Sequence, residues 1–459
     1  MRFLRSRTTP SRVAAITAAC LLFWISTPAM AMKIQSVKSP GGIEAWLVEE
    51  HSVPLFAMHF AFEGGSSQDP EGKPGVAHFI TAMLDEGAGE LTSTQFQEQM
   101  EEFVLRMSFD AGKDSFYGTF QALSENRDKA TDLLRLALTR PRFEEQAVER
   151  IKKQLLSSLA FEAKSPDNVA AKEWYATAFP GHPYGRPMKG TPESVGQIGK
   201  QDLETYHKRV FARDTLKVAV VGDIDAATLA AMLDKVFGAL PAKASLTAVP
   251  TVAPAAGQTK VIDMNVPQSV VQFGLKAVPR KDKEFVPAFV LNHILGGGGF
   301  SSRLMEEVRE KRGLAYSVYS YVQPFARTAI FGGGVATKNE SIEESLDVIR
   351  SELKRMAEQG PTPEELAGAK SYLTGSYALR FDTSPKIAGQ LLAIQIEDLG
   401  IGFIDQRNAQ IDAVTMEDVR RVAKLLLQPD NMIVTVVGRP AGNTAKALPT
   451  AAQGQPKKG

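Results

Sequence analysis

The stretch Leu216-Lys217-Val218-Ala219-Val220-Val221-Gly222 returns near the far end of the chain as Met432-Ile433-Val434-Thr435-Val436-Val437-Gly438. Each is a short, β-branched apolar run closed by glycine, which reads as a strand. What precedes the two runs is also alike. Before the first, Ile43 to Glu50 and Leu55 to Glu63 alternate as strands about the turn-like His51-Ser52-Val53-Pro54. A helical stretch follows from Pro74 to Glu86, then strands about Arg106 to Asp110 and Ser115 to Leu123 joined by Ala111-Gly112-Lys113-Asp114. Helical periodicity then runs from Asn126 to Glu162. Before the second come strands at Lys260 to Met264 and Ser269 to Val278 and a helix over Glu284 to Leu295. After Gly296 to Gly299 there is a helix, strands about Leu314 to Val322 and Ile330 to Thr337, and helices from Glu340 onward. The spacing is too long for a solenoid repeat and marks a domain duplication. Strands followed by helices, written twice, predict an α+β fold of two homologous domains, each a mostly antiparallel sheet covered by helices.

The boundaries that follow are residues 32–238 for the first domain and 259–440 for the second. Between them, residues 239–258 form a linker rich in Ala, Pro and Thr, and residues 441–459 have the composition of a disordered tail. The first 31 residues stand apart: Arg2, Arg5, Arg7 and Arg12 precede an apolar run from Val13 to Ile25 that leads to Pro28-Ala29-Met30-Ala31. That is the pattern of a cleavable secretory signal peptide, and the run is shorter than the roughly 20 residues a membrane span needs, so no stable membrane anchor is expected.

Composition narrows the function. The chain has 459 residues, 44% hydrophobic and 23% charged, enough to bury more than one core. Its one cysteine, Cys20, lies inside the apolar leader, so the mature chain has none. Export without cysteine excludes disulfide scaffolds, thiol catalysis and thiolate metal sites, and it suits a bacterial periplasm. Taking the four leader arginines from 53 Lys and Arg leaves fewer basic than the 52 acidic residues, and with them no electrostatic case for nucleic acid.

The decisive motif is Gly75-Val76-Ala77-His78-Phe79-Ile80-Thr81-Ala82-Met83-Leu84. It resembles the G-x-A-H-x-x-E-H-M stretch of the pitrilysin and mitochondrial-processing-peptidase family, zinc peptidases with an inverted H-x-x-E-H motif. There, two His four apart on one helical face bind zinc, and the Glu between them activates the metal-bound water. Here only His78 remains; Thr81 stands at the base position and Ala82 at the second ligand position. The family's third ligand, a Glu on a later helix, maps to Gln154 to Ala160, which holds no carboxylate, and Glu162 just beyond is off register. A catalytic zinc needs three protein ligands, so this chain is expected to bind none. The remaining histidines, His51, His59, His182, His207 and His293, form no local ligand pair. Gly64-Gly65-Ser66-Ser67 is no nucleophile elbow, and no Lys-Ser/Thr follows Gly296 to Gly299 as a phosphate loop requires.

The second half keeps what the first lost. Leu295 to Leu304, with Gly296, Gly297, Gly298 and Gly299 in a row, continues through Val308-Arg309-Glu310-Lys311-Arg312-Gly313-Leu314-Ala315-Tyr316-Ser317. This resembles the family's C-terminal half, where a glycine-rich stretch contacts substrate and an R-x6-Y pair reaches toward the zinc half to hold substrate carbonyls and the oxyanion. The resemblance places those roles on Arg309 and Tyr316, with Gly296 to Gly299 as the substrate-binding stretch; Arg312 and Tyr319 share the same spacing and leave the register open. His182-Pro183-Tyr184-Gly185 and Val221-Gly222-Asp223 also match family positions, so the likeness spans nearly all of the mature chain. It implies a non-zinc-binding subunit of a heterodimeric periplasmic metallopeptidase. The zinc would sit in a homologous partner with an intact H-x-x-E-H, and the substrates would be peptides or small unfolded proteins. The alternatives are a non-catalytic peptide-binding or structural subunit and, with the ligands missing, an independent protease of other chemistry.

Overall fold

The computed structural model describes residues 32–441. The leader, residues 1–31, and the tail beyond Ala441 lie outside the described residues. Strands β1 (Gln35–Lys38), β2 (Glu44–Glu49) and β3 (Leu55–Glu63) are followed by helices α1 (Val76–Thr81) and α2 (Ser93–Glu102) and the hairpin β4 (Arg106–Ala111) and β5 (Ser115–Leu123). Then come α3 (Arg127–Thr139), α4 (Glu145–Glu162), α5 (Pro166–Ala178), α6 (Pro192–Gln197), α7 (Lys200–Val210), β6 (Lys217–Gly222) and α8 (Ala226–Phe237). The second half carries β7 (Thr259–Ile262), β8 (Gln268–Lys276), α9 (Phe285–Asn292), β9 (Ala315–Pro324) and β10 (Ala329–Lys338). It ends with α10 (Ile342–Gln359), α11 (Pro363–Gly375), α12 (Ser384–Ile396), α13 (Phe403–Asp412), α14 (Met416–Leu426) and β11 (Ile433–Val437). From Gln35 onward these elements form one compact unit.

The duplication is visible in the strand order. One sheet runs β1-β2-β6-β3-β5-β4 and the other β7-β11-β8-β10-β9, the same order apart from the added edge strand β1. Each sheet is antiparallel except for one corresponding pair, β2 with β6 and β7 with β11. The sheets are therefore mixed, because the closing strand of each half returns through helices and inserts beside the opening one, and a parallel neighbour needs such a crossover. That closing strand is buried along nearly all of its length in both copies, consistent with cover on both faces.

The second cover comes from the opposite half. Helix α5 leaves the first half and packs on β8 and β11, while α12 of the second half packs on β6 and β3. Trp174 of α5 lies fully buried with its indole on Gly274 of β8 and donates to Ile433 O at 3.3 Å. Reciprocally, Gly389 of α12 sits against the ring of His59 on β3, and Gln395 donates to Val218 O at 2.9 Å. The hairpin turns also meet: Asp114 accepts from the Tyr184 hydroxyl and from Ala326 N. Lys113, its pKa pushed down to about 8 by burial, donates to Tyr184 O and lies over the Tyr175 ring.

Two helical expectations change. The stretch from Pro74 to Glu86 is α-helical only to Thr81, after which Ala82, Met83 and Glu86 bond back three residues in tighter turns. Periodicity from Asn126 to Glu162 breaks at Arg140, since Pro141 disfavours helix at the residue before it. The freed segment instead pairs with Gly87 and Gly89 through Arg142 N and Arg140 O.

Candidate functional site

The segment that carries the degenerate motif is built firmly. Asp69 is buried and accepts from Gly75 N and Ala77 N, both at 2.7 Å, so a carboxylate caps the positive end of α1. Burial pushes its pKa up to about 7 against the pull of those two donors. Gly75 has a φ of 103°, and a Cβ there would come within 2.9 Å of Lys189 O, so glycine alone allows the helix to start against this loop. Ordinary sequence signals for a helix start missed Asp69, because it lies six residues upstream of the glycine it serves.

On this scaffold the metal chemistry is gone. His78 is held neutral, its pKa lowered first by burial and then by Lys189, and among the described residues its ring makes no hydrogen bond. Thr81 spends its hydroxyl on His78 O at 2.7 Å, and Ala82 has no donor atom. Glu162 binds the Lys189 ammonium at 2.6 Å and accepts from Ser158 at 3.3 Å. A lysine ammonium thus satisfies Glu162, one of two carboxylates that act on His78; the other is Asp110. The donor set does not fit a catalytic zinc. No group of three or more His, Cys, Asp or Glu able to hold a metal occurs among the described residues. Of the other histidines, His59 is packed against Gly389 and four have structural partners. His51 binds Asp223 at 2.7 Å, His182 bridges Tyr184 N and Pro250 O, His207 reaches Leu138 O at 2.7 Å, and His293 stacks on Tyr372 at 5.0 Å.

The second half gathers its motif residues. Arg309 ends a wide helical turn, Met305–Glu310, and its guanidinium lies 4.9 Å from the centre of the Tyr316 ring and 4.7 Å from that of Phe300. Phe300 and Tyr316 are 70% and 79% exposed, unusual for rings that could pack inward. Tyr316 is also the extra residue of a bulge: Ala315 pairs with Thr337 and Ser317 with Ala336, leaving Tyr316 between them with no partner on β10. Bulges on edge strands re-aim single side chains, and here one tips the phenol outward over Arg309.

The alternative register is not assembled. Arg312 is engaged by Glu307 through its side chain at 2.6 Å and its carbonyl at 2.7 Å. Tyr319 covers Gly334 on the neighbouring strand and stacks with Tyr321. The four glycines differ from one another. A Cβ on Gly296 would meet Ser320 Oγ at 2.5 Å and one on Gly297 the Asn292 amide at 2.5 Å, so these two permit close packing in a wide turn, His293–Gly297. Gly296 is buried. Only Gly299 takes a positive φ, 60°, with open space where its side chain would be. Phe300, part of the same motif, had no signal of its own in the sequence.

Residues 47–192 match the insulinase family, peptidase family M16, and residues 197–373 match the peptidase M16 inactive domain. A Helicobacter pylori protein described as the non-peptidase homolog YmxG is 30% identical over 390 residues, covering 85% of this chain and 90% of that protein. The chain belongs to the peptidase M16 family. An uncharacterized zinc protease of Streptomyces coelicolor is 27% identical over 84% of this chain and 86% of its own. The crystal structure of a peptidase M16 inactive domain from Pseudomonas fluorescens superposes with a TM-score of 0.84 at 29% identity, over 90% of this chain and 98% of that one. A Helicobacter pylori protease shares the fold, with a TM-score of 0.80 at 20% identity.

Proposed function

We propose that this M16 chain is the non-zinc subunit of a heterodimeric metallopeptidase, exported to the periplasm. In this reading Arg309 and Tyr316 act on peptide substrates held at the zinc site of a homologous partner with an intact H-x-x-E-H. The observation that carries the reading is an asymmetry. The first half has lost the donors for metal and filled their neighbourhood with the Glu162–Lys189 ion pair, while the second half presents a guanidinium and a phenol side by side at the surface. A purely structural role leaves no reason to keep a cation and an exposed aromatic in that arrangement. Hydrogen-bond donors fixed before reaction and aimed at developing negative charge are what acyl-transfer chemistry uses.

A second reading, a non-catalytic peptide-binding or structural subunit, is supported by the Helicobacter pylori relative described as a non-peptidase homolog. One experiment separates the two. The chain, a candidate H-x-x-E-H partner and the co-expressed pair are purified, and zinc content and peptide cleavage are measured for each. Cleavage by the pair that falls in Arg309→Ala and Tyr316→Phe, with the zinc content unchanged, supports the first reading. A pair that cleaves no faster than the partner alone supports the second, and zinc bound stoichiometrically by this chain alone removes both.

A further inference from the structure

We infer that Phe300, Arg309 and Tyr316 form a clamp for a planar carboxylate carried by a peptide, with Phe300 as a positioning residue that the family motif does not assign. The inference rests on the reading that this face meets peptide, and it names the group that the face selects.

The geometry limits what can bind. With one ring centre 4.7 Å and the other 4.9 Å from the guanidinium carbon, Arg309 makes two cation–π contacts and is held beside two aromatic rings at once. The N–H donors of a guanidinium lie in its own plane, so a ligand that hydrogen-bonds to this cation meets it along that edge. A carboxylate matches that edge, since its two oxygens accept two parallel N–H bonds. The neighbouring cations are already satisfied: Arg303 grips Glu365, and Lys311 and Arg312 share Glu307, whose pKa they hold down to about 2. Arg309 faces one carboxylate, Glu310, at 3.7 Å, beyond hydrogen-bonding distance, and that side chain is itself largely in solvent. Among the described residues of this segment it is the guanidinium that makes no hydrogen bond.

Phe300 reaches this position because Gly299 turns the chain at positive φ immediately before it. A stacked guanidinium is pre-organised, so less side-chain entropy is lost when its donors engage. Phe300 and Tyr316 remain largely exposed, which suits an apolar residue next to the bound carboxylate. That carboxylate has two sources, the end of a peptide or an Asp or Glu side chain within it.

The test uses the full chain without a partner and fluorescence anisotropy of one labelled peptide of alternating Val and Thr. It is prepared with a free C-terminal carboxylate, with a C-terminal amide, and with a C-terminal amide plus one internal Glu. Binding of a carboxylate form at least about tenfold tighter than the plain amide is expected, a difference of about 1.4 kcal/mol. Arg309→Met should abolish the preference, Phe300→Ala and Phe300→Leu should weaken it, and Phe300→Tyr should restore it. Recovery with an aromatic but not with leucine distinguishes a ring face from mere bulk. Which carboxylate form binds identifies the source. Equal binding of all three peptides, binding to none, or a preference that survives Arg309→Met overturns the clamp. The subunit reading is decided separately, by cleavage in the mixed complex.

Discussion

Gly274→Ala should destabilise the protein, and it should cease to do so in a Trp174→Leu background. A Cβ built on Gly274 falls 2.3 Å from Trp174 Cζ2, 3.1 Å from Cε2 and 3.2 Å from Phe331 O. Carbon atoms pack at about 3.5–4.0 Å, so the indole would have to move by about 1 Å or more. It has nowhere to go, being fully buried, hydrogen-bonded to Ile433 O and flanked edge-on by Tyr175 at 5.2 Å and Phe179 at 6.4 Å. Overpacking of this kind costs about 1–3 kcal/mol. The lower entropy of alanine in the unfolded chain offsets about 0.4–1 kcal/mol of that. A net loss of about 1–2 kcal/mol is therefore expected for the single variant. With Trp174 shortened to leucine the added methyl finds space, and the same glycine change should become neutral or mildly stabilising. Urea unfolding of the four proteins, followed by circular dichroism, gives the cycle, with an expected coupling of about 1–3 kcal/mol. Additive changes would refute the premise that the first half's helix is wedged on the second half's sheet.

Three further outcomes are expected. The double variant Thr81→Glu, Ala82→His should remain zinc-poor after dialysis, measured by atomic emission, because residues 154–160 offer no carboxylate and Glu162 is held by Lys189; stoichiometric zinc would refute that account. Asp114→Ala removes the acceptor for Tyr184 and Ala326 N and should cost about 1–3 kcal/mol in thermal or urea unfolding, whereas a neutral change would show that the hairpin contact is idle. His51 should titrate above an ordinary histidine by NMR, raised by its hydrogen bond to Asp223, and return toward the ordinary value in Asp223→Asn. Its folded pKa is the higher one and that of Asp223 is lowered, so whatever stability the pair contributes is present while Asp223 is ionised and His51 protonated, and is lost as pH rises through the folded histidine value or falls through that of Asp223.

The fold was legible where a pattern is local and repeated. The runs Leu216 to Gly222 and Met432 to Gly438 lie at corresponding places in the two sheets, and the hairpins of each half follow the alternation of their residues. What could not be read is where α5 and α12 go. A helix with one apolar face specifies that it packs, not on which sheet, and the two sheets descend from one pattern. The glycine under Trp174 holds that information, but Gly274 in a strand has several readings until the indole above it is seen. The short edge strand β1, Gln35–Lys38, escaped because its four residues carry only one buried apolar side chain.

At the site, residue chemistry was legible and orientation was not. The loss of the general base and of a metal ligand follows from two letters, Thr81 and Ala82, because residue chemistry there does not depend on fine geometry. The choice between Arg309 with Tyr316 and Arg312 with Tyr319 depends on it entirely, since both share a spacing. Which Arg is free of hydrogen bonds and which Tyr leaves the ladder turns on a one-residue bulge at Tyr316 and on Glu307, which engages Arg312. Phe300 follows the same rule: a ring next to four glycines has no defined direction until one of them, Gly299, adopts positive φ. That also explains why the glycines are not interchangeable. A side chain at Gly296 would strike Ser320 and disturb packing, while one at Gly299 would meet no atom and would act only by turning Phe300 away from Arg309. Gly299→Val should therefore leave the fold intact and weaken the selection of carboxylate-bearing peptides as much as Phe300→Ala does; a variant that binds like the parent would separate the glycine from the ring it directs.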